Sequence, residues 1–298
     1  MKKNKMDNIK IGKFKIIKVL KKQLPGYLFI SPWILGFLIF VLWAMIQSFR
    51  YSMSNVVLTP GRIILVNVGF NNYRNVFLQD MSFVQTLLSF FISSILEVPV
   101  IVVFALIIAL LLNGDLRLKG FFRTLYFLPV VIVSGPVMDK LISQGATTVP
   151  IMNTAVITNI LSKSLPQWLS NPIVTLFEQV IIILWYSGVQ ILIFLAALQK
   201  VDNSLYEAAK IDGGSAWECF WKITLPTIKP MIFLNAIYTL VTLANSDQNN
   251  IITLIYNDMF SAIRGYGFAS AMAWMYAIIL SIMILLISLM FKEKREGA

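Results

Sequence analysis

Histidine is absent from this chain, and cysteine occurs once, as Cys219. The first absence removes every imidazole metal ligand and every histidine general base. The second leaves no internal disulfide and no thiolate metal cluster. Charge is also scarce. Charged residues make up 13% of the 298 positions, with 14 acidic against 25 basic side chains. A soluble domain carries about 25% charged residues. No Gly-x-x-x-x-Gly-Lys-Ser/Thr phosphate loop is present, because Gly12-Lys13 lacks both the earlier glycine and the following hydroxyl. Nucleotide hydrolysis therefore belongs to another polypeptide. No carboxylate pair suggests acid–base work, and the chain reads as a non-enzyme.

What is present is apolar sequence, at 58% of all residues. A membrane span needs about 20 such residues. Six stretches qualify, at 24–48, 84–112, 121–142, 172–198, 228–246 and 268–291. The first is too long for a signal-peptide core and lacks a small-residue cleavage site, so it reads as a retained span. The second carries Glu97 and Pro99, which predict a bend or local fraying. The third is interrupted by Pro129 and by Gly135-Pro136. The fold class is all-α, a polytopic membrane protein of six transmembrane helices. A basic tail, 1–23, precedes a single six-span transmembrane domain, 24–298.

A net charge of +11 could suggest nucleic acid. Its distribution argues against that partner. Nine lysines precede the first span, a pattern that reads as positive-inside and as attraction to anionic lipid. With both termini cytoplasmic, the inner side also holds Arg117, Lys119, Arg123, Lys200, Lys210, Lys222, Lys229, Lys292, Lys294 and Arg295. The outer side holds Arg50, Arg62, Arg74, Lys140, Lys163 and Arg264. Nineteen of the 25 basic residues thus lie inside, as the rule requires. Of the outer segments, 56–70 has β-branched residues and turn signals and predicts a small hairpin or irregular cap. The stretch 144–171 predicts short helices on the outer face.

Between the fourth and fifth spans lies the longest polar-containing stretch, 204–230. Ser204 stands three residues before Glu207, and Ser215 three before Glu218. Each pair fits a capping box, so two short helices are expected. Asp212-Gly213-Gly214 separates them, since glycine accepts the left-handed dihedrals that end a helix. Pro226 and Pro230 then allow only a fresh helix start. Cys219 falls on a face of this loop and is expected to be reachable from the cytoplasm.

Glu207-Ala208-Ala209, Asp212-Gly213 and Ile223-Thr224-Leu225-Pro226 together resemble the "EAA" loop of binding-protein-dependent ABC importer permeases. The resemblance runs along nearly the whole chain. Gly69-Phe70-Asn71-Asn72-Tyr73, Gly120 to Pro129 and Tyr266 to Ala271 are similar to the carbohydrate branch, the maltose-transporter-like type I importers. The second outer loop departs from the maltose importer in having no large periplasmic domain.

The resemblance implies a cytoplasmic coupling helix between spans 4 and 5, seated in a cleft of an ATPase subunit. Its contact residues would be Leu205, Tyr206, Glu207, Ala208, Ala209, Asp212 and Gly213. Glu207 would either cap its own helix or meet a basic residue of the ATPase. Gly213 would let the two short helices cross closely. The implied partners are a second homologous permease, which makes a heterodimer, two copies of the ATPase, an extracytoplasmic sugar-binding protein and the lipid bilayer. ATP and Mg would sit on the ATPase, and this chain would bind no cofactor. The location would be the bacterial cell membrane, with multiple passes.

A sugar path needs aromatic platforms beside amide or hydroxyl partners. The fourth span offers Trp185, Tyr186 and Gln190, and the fifth offers Asn235, Tyr238, Thr242 and Asn245. The resemblance places Ser134, Trp185, Tyr186, Val189, Tyr238 and Asn245 at or near a sugar site. The competing reading of such residues is helix packing. Aromatic crowding points to an oligosaccharide. Glu97 and Glu178, inside apolar spans, suit either helix–helix bonding or the relay of a free-standing secondary transporter.

Overall fold

The computed structural model describes residues 26–114, 120, 166, 170, 187–246, 249–261 and 263–291. Its elements in chain order are α1 (Gly26–Ser52), β1 (Ser54–Thr59), β2 (Arg62–Asn67), α2 (Asn71–Gln79) and α3 (Met81–Asn113). There follow α4 (Gly188–Leu198), α5 (Asn203–Ile211), α6 (Ala216–Ala244), α7 (Asn250–Met259) and α8 (Gly265–Met290). Four of these, α1, α3, α6 and α8, are long and apolar enough to cross a membrane. They match the first, second, fifth and sixth expected spans. The helix α4 is the end of the fourth. The third span, most of the fourth with Glu178, and all of the segment 144–171 except 166 and 170 lie outside the described residues. α3 runs as helix without a break through Pro99, so no fraying occurs there.

The chain divides into two compact units, 1–75 with 258–274, and 76–257 with 275–298. In the first, the expected hairpin is present, with Val56 paired to Leu65 and Thr59 to Arg62. Pro60-Gly61 closes it, and Gly61 supplies a φ of +92°. A polar clamp holds its base. The amide of Asn72 donates to the carbonyls of Ser52 and Ser54, at 2.9 and 3.0 Å. Tyr73 Oη shares a 2.7 Å hydrogen bond with Ser52 Oγ. Gly267 lies directly against the Ser54 carbonyl. The rings of Phe49 and Trp274 meet edge to face at 5.3 Å. Arg264 pairs with Asp258 at 2.6 Å and lies over the Phe268 ring. Along α1 no residue before Ser52 is buried, so most of its apolar surface is left exposed.

The second unit holds the main core. Val98, Val102, Ala105, Ala109 and Leu112 of α3 pack with Ile191, Phe194 and Leu198 of α4, Ile228, Ala236 and Leu240 of α6, and Met283 of α8. Ala105 and Ala109 are fully buried one turn apart. Small side chains at that spacing let helix backbones approach closely. Asn249 ties off the far end of α6. Its amide donates to Tyr276 Oη at 2.7 Å and to the Ala244 carbonyl at 3.0 Å, while its carbonyl oxygen caps α7 at Ile251.

Candidate coupling loop and transport path

The polar loop begins with a cap that differs from the expected one. Asp202, not Ser204, is the N-cap of α5, and its carboxylate accepts the Ser204 backbone N–H at 2.9 Å. That bond and the Ser204 hydroxyl hold the Asp202 carboxyl below its usual range. Ser204 therefore lies inside the first turn, and Glu207 stands exposed with no part in the cap. The helix ends as a Schellman turn. Gly214 N–H donates to the Ala209 carbonyl at 2.8 Å and Gly213 N–H to the Lys210 carbonyl at 3.1 Å. Gly213 takes the left-handed φ of +78° that this turn demands. The close approach falls on its neighbour. A Cβ at Gly214 would lie 2.8 Å from the Ala209 carbonyl oxygen, whereas one at Gly213 would meet open space.

The second capping box is present as expected. Glu218 N–H donates to Ser215 Oγ, and Ser215 N–H donates to the Glu218 carboxylate at 2.9 Å. The helix it starts does not stop, however. α6 continues from Ala216 through a π segment, Phe220–Thr224, into Leu225–Ala244. Proline removes an N–H and its ring crowds the carbonyl four residues back. Here Leu225 N–H bonds to the Phe220 carbonyl, five residues back, so the ladder widens immediately before Pro226. The two prolines are absorbed, and the expected fresh start at Pro226 does not occur.

The outward surface of the loop carries large apolar side chains among its polar ones. Ile211 is 87% exposed and Trp217 69% exposed, with Leu205 and Trp221 also open. The Trp217 and Trp221 rings meet edge to face at 5.5 Å, one helical turn apart. Sequence reasoning missed both tryptophans. The signal was there, as two indoles four residues apart beside a capping box. Ala208, Asp212 and Gly213 are exposed, and Ala209 is half-buried. Tyr206 is half-buried, with its ring against the core. Cys219 is buried, contrary to the expected accessible thiol.

The expected path residues divide between two faces of α6. Asn235 is buried toward α4, as is Thr239, which was not among those expected. Gln190 Nε2 donates to Thr239 Oγ1 at 3.0 Å, and Asn235 Nδ2 to the Gln190 backbone carbonyl at 3.4 Å. Gln190 is thus enclosed between helices. Tyr238 and Asn245 are exposed, Thr242 is half-buried, and so is Val189. Thr242 Oγ1 and Asn245 Nδ2 donate to carbonyls one turn back, at 2.8 Å each. Ser134, Trp185 and Tyr186 lie outside the described residues. Glu97 is half-buried on α3.

Residues 78–292 match the family described as binding-protein-dependent transport system inner membrane component. The chain belongs to this family. The permease is 31% identical over 290 residues to the probable ABC transporter permease protein YesP of Bacillus subtilis, covering 90% of this chain and 91% of that one. It is 31% identical over 280 residues to the lactose transport system permease protein LacF of Rhizobium radiobacter, covering 87% and 91%. Among solved structures, a chain of a bacterial alginate ABC transporter in complex with an alginate pentasaccharide-bound periplasmic protein matches the fold. The TM-score is 0.64 at 21% identity, over 92% of the permease and 96% of that chain. The permease is a multi-pass membrane component of an ABC transporter, and the free-standing secondary transporter is set aside.

Proposed function

We propose that this permease forms, with a second homologous permease, the path by which an oligosaccharide enters the cell. One of two ATPase copies would dock on the loop between the fourth and fifth spans of this chain and the other on the second permease, each carrying its own ATP and Mg. An extracytoplasmic binding protein would deliver the sugar. Six spans and two cytoplasmic termini complete the arrangement, with 1–23 as the basic tail. The observation that carries this reading is the loop itself, two capped helices about a tight turn with Leu205, Ile211, Trp217 and Trp221 outward. Buried in an ATPase cleft, such side chains contribute roughly 1.5–3 kcal/mol each. The sugar assignment draws on relatives named for lactose and for arabino-oligosaccharides.

Orientation has a direct test. Ile211→Cys in a Cys219→Ser background should react with a membrane-impermeant maleimide in inside-out vesicles stripped of ATPase, and not in intact cells. Labelling in intact cells would place the loop outside.

On this reading the path is lined by Tyr238, Thr242 and Asn245 of α6 and by Val189, with Trp185, Tyr186 and Ser134 as further proposed lining residues and Gln190 behind them, enclosed between α4 and α6. Loss of one stacking surface or hydrogen bond costs about 1–2 kcal/mol, or roughly 5–30-fold in occupancy. Trp185→Ala and Asn245→Ala should lower uptake by that factor, with labelled lactose and arabino-oligosaccharides as probes. The ATPase should still co-purify with both variants. Wild-type uptake of a transported probe in both would move the path elsewhere. Failure of any ATPase to co-purify with the unmodified permease would end the coupling reading.

A further inference from the structure

We propose that Tyr206 and Thr224 are positioning residues for transport, fastening the coupling helix to the foot of the fifth span so that the two move as one body. The proposal deepens the coupling reading above and rests on it. Tyr206 Oη and Thr224 Oγ1 lie 2.8 Å apart, across 18 residues of chain. Thr224 Oγ1 also lies 3.4 Å from the Cys219 carbonyl, to which it donates. The 2.8 Å bond is the stronger of the two contacts, and either hydroxyl can be its donor.

The bond has the right place for a fastening. Thr224 is 5% exposed and is the last residue of the π segment. Tyr206, on the other side of the Schellman turn, sets its ring against the core of α3, α4 and α6. Its neighbours Leu205 and Glu207 face outward. A helix of nine residues is too short to hold its shape or position by itself. The turn at Gly213 fixes one end of α5, and the Tyr206–Thr224 bond closes the loop into a ring. Force applied to the exposed residues of α5 then reaches α6 at the π segment, above which the transmembrane part begins.

The test uses the intact importer, co-purified with its ATPase and placed in nanodiscs. Nitroxide labels go on Lys210→Cys and Leu234→Cys, both exposed positions, in the Cys219→Ser background. Pulsed electron–electron resonance then reads the distance from α5 to α6, with and without ATP–Mg–vanadate. The original pair should give one narrow distance under both conditions. Tyr206→Phe and Thr224→Val should each raise an undocked second population about fivefold, the ratio expected for loss of one neutral hydrogen bond. The double variant should do no more than either single one, because both remove the same interaction. Thr224→Ser, which keeps the hydroxyl, should restore the single distance. One narrow distance in both single variants, or effects that simply add in the double, would overturn the proposal while leaving the ATPase reading intact. A wild-type permease that recruits no ATPase would overturn that reading and the proposal together.

Discussion

Gly213→Val should leave the permease in the membrane and deprive it of its ATPase. The left-handed φ of +78° costs an L-residue about 1–2 kcal/mol, and a β-branched one more. The chain would escape that strain by opening the Schellman turn. The proposed contact residues lie on both sides of it, Leu205 and Ile211 before and Trp217 and Trp221 after. Reorienting one helix against the other therefore splits the docking surface. A tenfold loss of ATPase association needs only about 1.4 kcal/mol. Gly213→Asn is the informative control, because asparagine tolerates the left-handed region. It should retain most of the association. Quantitative co-purification reads both, and equal recovery of ATPase with the Val and Asn variants would show that the backbone at 213 does not matter. The sequence suggested crowding at this glycine. Its role is instead conformational, and the crowded position is Gly214.

The second large effect concerns the unit that holds the hairpin. Gly267→Ala should reduce the amount of folded permease several-fold. The added Cβ would sit 2.1 Å from the Ser54 carbonyl oxygen and 3.3 Å from the Asn72 amide nitrogen. The nearest neighbour is backbone, so it cannot rotate aside. Asn72 already spends its amide on the Ser52 and Ser54 carbonyls, so displacing Ser54 breaks the clamp as well. Overpacking of this kind costs roughly 1–3 kcal/mol. Changes of that size alter cellular abundance several-fold. Gly36→Ala, in α1 with open space around it, should behave as the original. Fluorescence-detected size exclusion after graded heating compares the three. Equal thermal midpoints for the Gly267 variant and the original would contradict the packing described.

Much of this architecture was readable from residue order, and the failures have physical causes. Pro60-Gly61 between β-branched runs gave the hairpin, because proline and glycine impose its turn. Ser215 and Glu218 gave a cap for the same local reason. Ser204 and Glu207 fit that pattern equally well, yet Asp202 offers a carboxylate two residues earlier and takes the N-terminus. Pro226 reads as a helix start only if the ladder keeps its spacing of four. Widening to five removes the conflict, and no residue type announces that. Helix α7 went unseen because ten residues of mixed polarity are no span and their cap, Asn249, is held by the distant Tyr276. Gln190 was ambiguous in principle. A polar side chain in mid-span satisfies its hydrogen bonds against another helix or against a solute, and only the neighbours decide.

The π segment at Phe220–Thr224 also fixes an angle. Widening one turn of a helix is equivalent to adding one residue to it, and one residue is about 100° of rotation and 1.5 Å of rise. Trp217 before the segment and the stripe Tyr238, Thr242 and Asn245 after it are therefore out of phase with a regular α-helix by that amount. Which way Trp217 looks, for a given orientation of that stripe, is set here by a count of residues rather than by any side chain. Removing one residue from the segment would turn Trp217 through about a quarter of a circle while every other side chain kept its identity. On the coupling reading proposed above, compatibility between a permease and an ATPase is in that sense a matter of helical phase.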